Sequence, residues 1–150
     1  MQEPIITWYA KLTEDSQFRQ TDEIYAGTYT PNNSIQVNLQ IWNNRWGTID
    51  VADLTDFTIH MYFNEVEDTS LFNYCTIVLN KSDILNLTKA DNRRILEFPN
   101  EITLSGKKNN GTSKENANNY LNLDIVFQAP KDVKLKEKDL KSLFFEIVNL

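Results

Sequence analysis

Two runs decide how this chain folds: Ser34-Ile35-Gln36-Val37-Asn38-Leu39-Gln40-Ile41 and, after a polar connection, Phe57-Thr58-Ile59-His60-Met61-Tyr62-Phe63. In each, apolar residues occupy every second position, the period that sends alternate side chains of a β-strand to opposite faces. A strand with one apolar face needs a second apolar layer to cover it, so two such runs already argue for packed sheets. The connection between them holds Trp42-Asn43-Asn44-Arg45-Trp46-Gly47, followed by Asp50, Asp53 and Asp56. Gly47 allows a tight backbone there, and the tryptophans are expected to close one end of the core.

The same period recurs outward from this centre. Cys75, Ile77 and Leu79 share one parity, as do Leu121, Leu123, Ile125, Phe127 and Ala129 before Pro130. Weaker strand signals lie at 5–12, 25–29, 94–98 (ending at Pro99), 102–104 and 144–148. Asp53-Leu54-Thr55-Asp56-Phe57-Thr58-Ile59-His60-Met61 aligns with Asp139-Leu140-Lys141-Ser142-Leu143-Phe144-Phe145-Glu146-Ile147. The alignment predicts a C-terminal strand with Leu143, Phe145 and Ile147 facing inward. The terminal strands are expected at sheet edges, with 5–12 as an edge or as an arm laid on a neighbouring subunit. Val51-Ala52-Asp53-Leu54 is expected to form one helical turn, and Ile84, Leu85 and Leu87 a short helix or loop.

The expectation is an all-β protein, one single-domain β-sandwich over 1–150, immunoglobulin-like or jelly-roll-like. It carries one long polar loop at 106–119, rich in Lys, Asn, Gly, Ser and Glu, which is expected to be mobile or to order against a partner. A chain of 150 residues suits one core, and 41% hydrophobic with 24% charged residues suits a folded domain rather than a disordered one. The net charge of -6 argues against a phosphate-backbone partner, and Arg93-Arg94 and Lys107-Lys108 are too short and too far apart to make a basic surface. No segment reads as a secretory signal or a membrane span, so folding in a cytoplasm and no membrane partner are expected.

The residues that carry chemistry are sparse. Cys75 is the only cysteine, which leaves no intrachain disulfide and no multi-cysteine zinc site, and its strand parity makes it a small packed hydrophobe. His60 is the only histidine and lies opposite in parity to Ile59 and Met61, a sheet-face position rather than the base of a nucleophilic triad. Asp124 shares the polar parity of Asn122 and is expected in solvent. Asp50, Asp53 and Asp56 recur every third residue but lack the glycine and terminal glutamate of a calcium loop, so they read as turn residues. No catalytic residue, metal ligand or cofactor is expected, and an acid/base or metal-dependent enzyme is the third choice. Trp8, Tyr9, Tyr25, Tyr29, Trp42, Trp46, Tyr62 and Tyr120 offer apolar faces with polar edges, suited to a protein interface or a carbohydrate platform.

The strand at 35–41, the Trp42-to-Gly47 connection, and the two Asp-Leu lead-ins at Asp53-Leu54 and Asp139-Leu140 together resemble small β-sandwich structural proteins of tailed bacteriophage virions. Immunoglobulin-like head-completion, connector, tail and baseplate components are of this kind. The resemblance spans about half of the chain. It implies a non-enzymatic component of a symmetric ring or shell, a homo-oligomer that also contacts other virion proteins and is assembled in the host bacterial cytoplasm. The residues expected at contacts are Trp8 and Tyr9 through an N-terminal arm, Trp42 and Trp46 through the first connection, and Lys107, Lys108 and Lys114 through the long loop. The alternative is a carbohydrate- or protein-binding β-sandwich module.

Overall fold

A computed structural model describes residues 1–29, 33–63, 70–113, 115–130 and 138–149. They build two antiparallel sheets packed face to face, with one short 3-10 helix at Ser70–Tyr74. The strands are β1 (Ile6–Leu12), β2 (Arg19–Gln20), β3 (Glu23–Tyr29), β4 (Ile35–Asn43), β5 (Phe57–Phe63), β6 (Cys75–Leu79), β7 (Asp83–Ile84), β8 (Asn86–Ala90), β9 (Arg93–Glu97), β10 (Tyr120–Phe127) and β11 (Lys138–Asn149). Sheet A runs β2-β1-β4-β10-β6-β7 and sheet B runs β3-β11-β5-β9-β8. The all-β sandwich expected from the alternating runs is the fold.

The core is the inward parity of each run. Val37, Leu39 and Ile41 of β4, Leu121, Leu123, Ile125 and Phe127 of β10, and Ile59 and Met61 of β5 are all buried. Phe63, Phe72 and Phe127 form a three-ring cluster with centroids 4.8 to 5.9 Å apart, joining β5, the 3-10 helix and β10 across the two sheets. Trp8 does the same elsewhere, stacking on Phe145 at 6.1 Å. Both contacts combine large apolar burial with the offset or tilted geometry that aromatic rings prefer.

Several expectations are corrected. β1 is no arm: it pairs with β4 at seven positions from Ile6 to Leu12, so its backbone groups are satisfied within the chain. β11 is interior to sheet B, paired on one side with β3 and on the other with β5, and its inner residues Leu143 and Phe145 are buried as the Asp-Leu alignment predicts. Asp83–Ile84 and Asn86–Ala90 are strands rather than a helix: Leu85 is buried and its N–H donates to the Ile77 carbonyl, 2.9 Å away. The 51–54 segment makes no helical turn. Leu54 instead pairs with Leu104 in an isolated bridge, which also accounts for the short extended piece at 102–104.

Phe127 is the inner hinge of the aromatic cluster. Phe127→Ala is expected to cost about 3–5 kcal/mol, read as a lowered urea midpoint with an unchanged slope.

Candidate functional site

At the end of β4 the alternation stops. Ile41 faces the core, yet Trp42 and Asn43 after it are also fully buried. Trp42 pairs with Thr7 and Tyr120, on the outer face of sheet A, and is covered there by other parts of the chain. Tyr120 stacks on it at 4.7 Å, and Arg45 lies over its ring at 4.6 Å. The same guanidinium lies 4.4 Å from the Tyr9 ring and 4.1 Å from the Trp46 ring, three cation-π contacts for one charge. Its Nε donates to the Gly111 carbonyl at 3.0 Å, which brings the long loop onto the cluster.

Buried carboxamides tie this end together. Asn43 Nδ2 donates to the carbonyls of Ala52 and Leu104, and its Oδ1 accepts from Ile5 N. Asn44 Nδ2 donates to the Ile49 and Gly106 carbonyls at 2.8 and 2.9 Å. Asn119 Nδ2 donates to those of Ser105 and Lys107, and Asn109 Nδ2 to that of Asn44. Asp53 and Asp50 accept the backbone N–H groups of Gly106 and Lys108. A loop without strand partners must find other groups for its backbone, and these side chains supply them. The segment expected to be mobile or partner-ordered is therefore fastened along 105–111 by the chain itself. Two of the three periodic aspartates, Asp50 and Asp53, are anchors for the loop. Sequence carried a trace of this in the asparagines of 43–44 and 109–119, a residue type that bonds readily to backbone.

Two close approaches require glycine. A Cβ on Gly106 would run into the Val51 and Ala52 carbonyls, and one on Gly111, at φ +78°, into the Trp46 indole. Asn44 and Trp46 both hold left-handed backbone, at φ 58°. Asparagine tolerates that region, but a tryptophan in it is strained and persists only because its surroundings hold it. Here they are the Asn109 Oδ1 acceptor on Trp46 N, the Tyr9 ring and the Arg45 guanidinium.

The residues expected at contacts divide accordingly. Trp42 and Tyr9 are buried and support Arg45; Trp8 is half-buried and faces the other sheet. Trp46 is 56% exposed, and Lys107 and Lys108 are exposed. Lys114 lies outside the described residues. Sequence reasoning missed Ile5 and Ile49, which are 41% and 62% exposed. Their backbones bond to Asn44, Ile5 O accepting from its N–H and Ile49 O from its side chain, so they stand at the same end as Trp46.

The other candidates sit apart. His60 lies on the outer face of β5 opposite Glu146 and Ile95, its Nδ1 buried and without a hydrogen-bond partner among the described residues. Asp124 keeps its polar-face position but is not free in solvent: its carboxylate pairs with Lys81 Nζ at 2.8 Å and accepts from Asn38 Nδ2. Burial pushes the Cys75 thiol up to about 12, against an opposing pull from Arg94. Among the described residues no group of three or more His, Cys, Asp or Glu side chains is placed to hold a metal ion. No protein-family model, curated protein or solved structure matches this chain.

Asn44→Asp preserves shape and backbone preference while replacing two donors with acceptors that face carbonyls. It is expected to speed amide hydrogen exchange at Gly106 and Lys108 by at least tenfold, measured by mass spectrometry, with β10 protection unchanged. For Cys75, the unfolded thiol ionises near 9.0 and the folded one near 12. Its contribution to stability is complete below the lower value and is lost as pH rises toward the upper one. Urea titrations are expected to show an alkaline loss that is smaller in Cys75→Ala, and the native thiol to resist iodoacetamide at pH 8.

Proposed function

We propose that this chain is a non-enzymatic structural component of a symmetric assembly, of the kind found among tailed-phage head-completion, connector, tail and baseplate proteins. The observation that carries the reading is Trp46: a large indole, 56% exposed, on strained backbone braced by a hydrogen-bonded hub. Exposing such a side chain in a fixed pose costs solvation and backbone strain, and tryptophan is the residue most enriched where partners bind. Ile5 and Ile49, exposed at the same end of the sandwich, add apolar area there.

A second surface gives this one a counterpart. The outer face of sheet B holds a depression of about 520 Å³ whose lining includes the apolar Ile95, Phe98, Ile102 and Val148 and the acidic Asp56, Glu97 and Glu101. Trp46 stands on the sheet A side, against Tyr9, whereas the depression opens on sheet B. A projecting patch and a recessed one on different faces make a head-to-tail contact, the interface type that closes into rings when its rotation allows. The proposed partner is thus a second copy of this chain, with other virion proteins bound to the completed ring. The exposed Lys107 and Lys108 add polar registration at the rim. The virion is the proposed location, with assembly in the host bacterial cytoplasm.

Native mass spectrometry of the purified chain is expected to show a closed oligomer. Trp46→Ala and Val148→Glu should each weaken it by about 30-fold, the ~2 kcal/mol of an interface hot spot. A chain that stays monomeric at all concentrations, alone and with its virion neighbours, would sink the reading.

A further inference from the structure

The outer face of sheet A carries a second surface, unlike the apolar ones above and independent of the assembly reading. Three adjacent rungs cross its strands: Lys11, Asn38 and Asp124; then Tyr9, Gln40 and Asn122; then Thr7, Trp42 and Tyr120. Over part of them, chiefly the β4 and β10 positions, lies an open groove of about 550 Å³ whose lining includes Phe18, Asn38, Gln40, Asn80, Tyr120 and Asn122. Four of these six are carboxamides and two are aromatic.

The polar groups are already oriented. Gln40 Oε1 accepts from Trp42 Nε1 at 3.1 Å, which leaves its amino group as the donor offered outward. Asn38 spends its amino group on Asp124, which leaves its carbonyl oxygen as an acceptor. Asn80 is clamped to β10, its N–H on the Asn122 carbonyl and its Oδ1 under the Asn122 N–H. The Asn122 Nδ2 group is closed to solvent and has no partner among the described residues. An unpaired buried donor weakens a fold, so its presence beside a groove calls for a ligand acceptor that the carboxamide turns to meet. The charges at the groove are occupied: Lys81 pairs with Asp124, and Lys11 Nζ donates to the Asp15 carbonyl at 2.9 Å and lies over the Phe18 ring.

We infer that this groove binds a neutral oligosaccharide. Sugar hydroxyls both donate and accept, which matches carboxamides fixed in opposite senses on neighbouring strands, and the apolar face of a pyranose packs on an aromatic ring such as Tyr120. The open form of the groove accommodates an extended chain rather than one enclosed small molecule. Lys81 is offset by Asp124 and Lys11 is drawn to a backbone carbonyl, so the groove meets a ligand mainly through neutral carboxamides and rings.

The test is a printed array of neutral and acidic glycans probed with the full-length chain, followed by titration of the strongest neutral hit watched by NMR. Specific binding of a neutral glycan is expected, with shifts confined to β4, β10 and the Asn80 turn. Gln40→Ala and Asn122→Ala should each weaken it tenfold or more. Asn122→Ala should also leave Tm unchanged or raised, since it removes an unpaired donor; a purely structural asparagine would lower Tm instead. Binding of acidic glycans alone, binding that survives both substitutions, or no binding across the array would each overturn the inference. The mass of the assembly is read separately, so failure here leaves the ring proposal standing and the reverse.

Discussion

The dependence of this structure falls on a handful of buried carboxamides that do for the open end of the sandwich what the strand ladders do for its middle. Asn43, Asn44 and Asn119 each place a two-donor side chain between carbonyls that belong to no strand. Each of these side chains bridges two backbone segments at once, so losing one loosens two attachments together. They convert a connection and a loop distant in sequence into a single platform, and only on that platform can Arg45 sit among three aromatic rings.

The platform changes what a β-strand face means. Along most of β4 the outward residues are polar, and Gln36 to Gln40 obey the simple alternation. At Trp42 the loop arrives, the outward face becomes an interior, and a tryptophan becomes fully buried on the side that faces solvent elsewhere. That is why the period of two located the strands and inner core correctly, from Val37 through Phe127, while saying nothing about Trp42 or Tyr9. Periodicity reports which side of a strand a residue occupies; whether another segment covers that side depends on contacts of long separation, such as Arg45 to Gly111.

The same limit explains the placement of β11. Its inward Leu143 and Phe145 were legible from the match to β5, whereas Asp139-Leu140 proved to lie within the strand and not ahead of it; strand order was not legible, because a run of apolar residues looks alike in an interior strand and in an edge strand packed on a core. Likewise the 105–119 segment has no apolar period because its anchors are hydrogen bonds. Low hydrophobicity marks a segment that cannot be held by burial; it leaves open fastening by side-chain amides.

The sheet edges bear on how the molecule meets others. β2 and β7, the edges of sheet A, are two residues each, too short to template a further strand. Blunted edges on that sheet leave its face and ends, and so side chains rather than backbone, as the surfaces open to contact. The side chains there are not interchangeable: the exposed Trp46, Ile5 and Ile49 offer apolar area at one end, and the half-buried Asn38, Gln40 and Tyr120 line a groove with carboxamides and a ring on one face. Because Tyr120 stacks on Trp42 and Trp42 on Arg45, which also touches Trp46, the two surfaces share a continuous aromatic support.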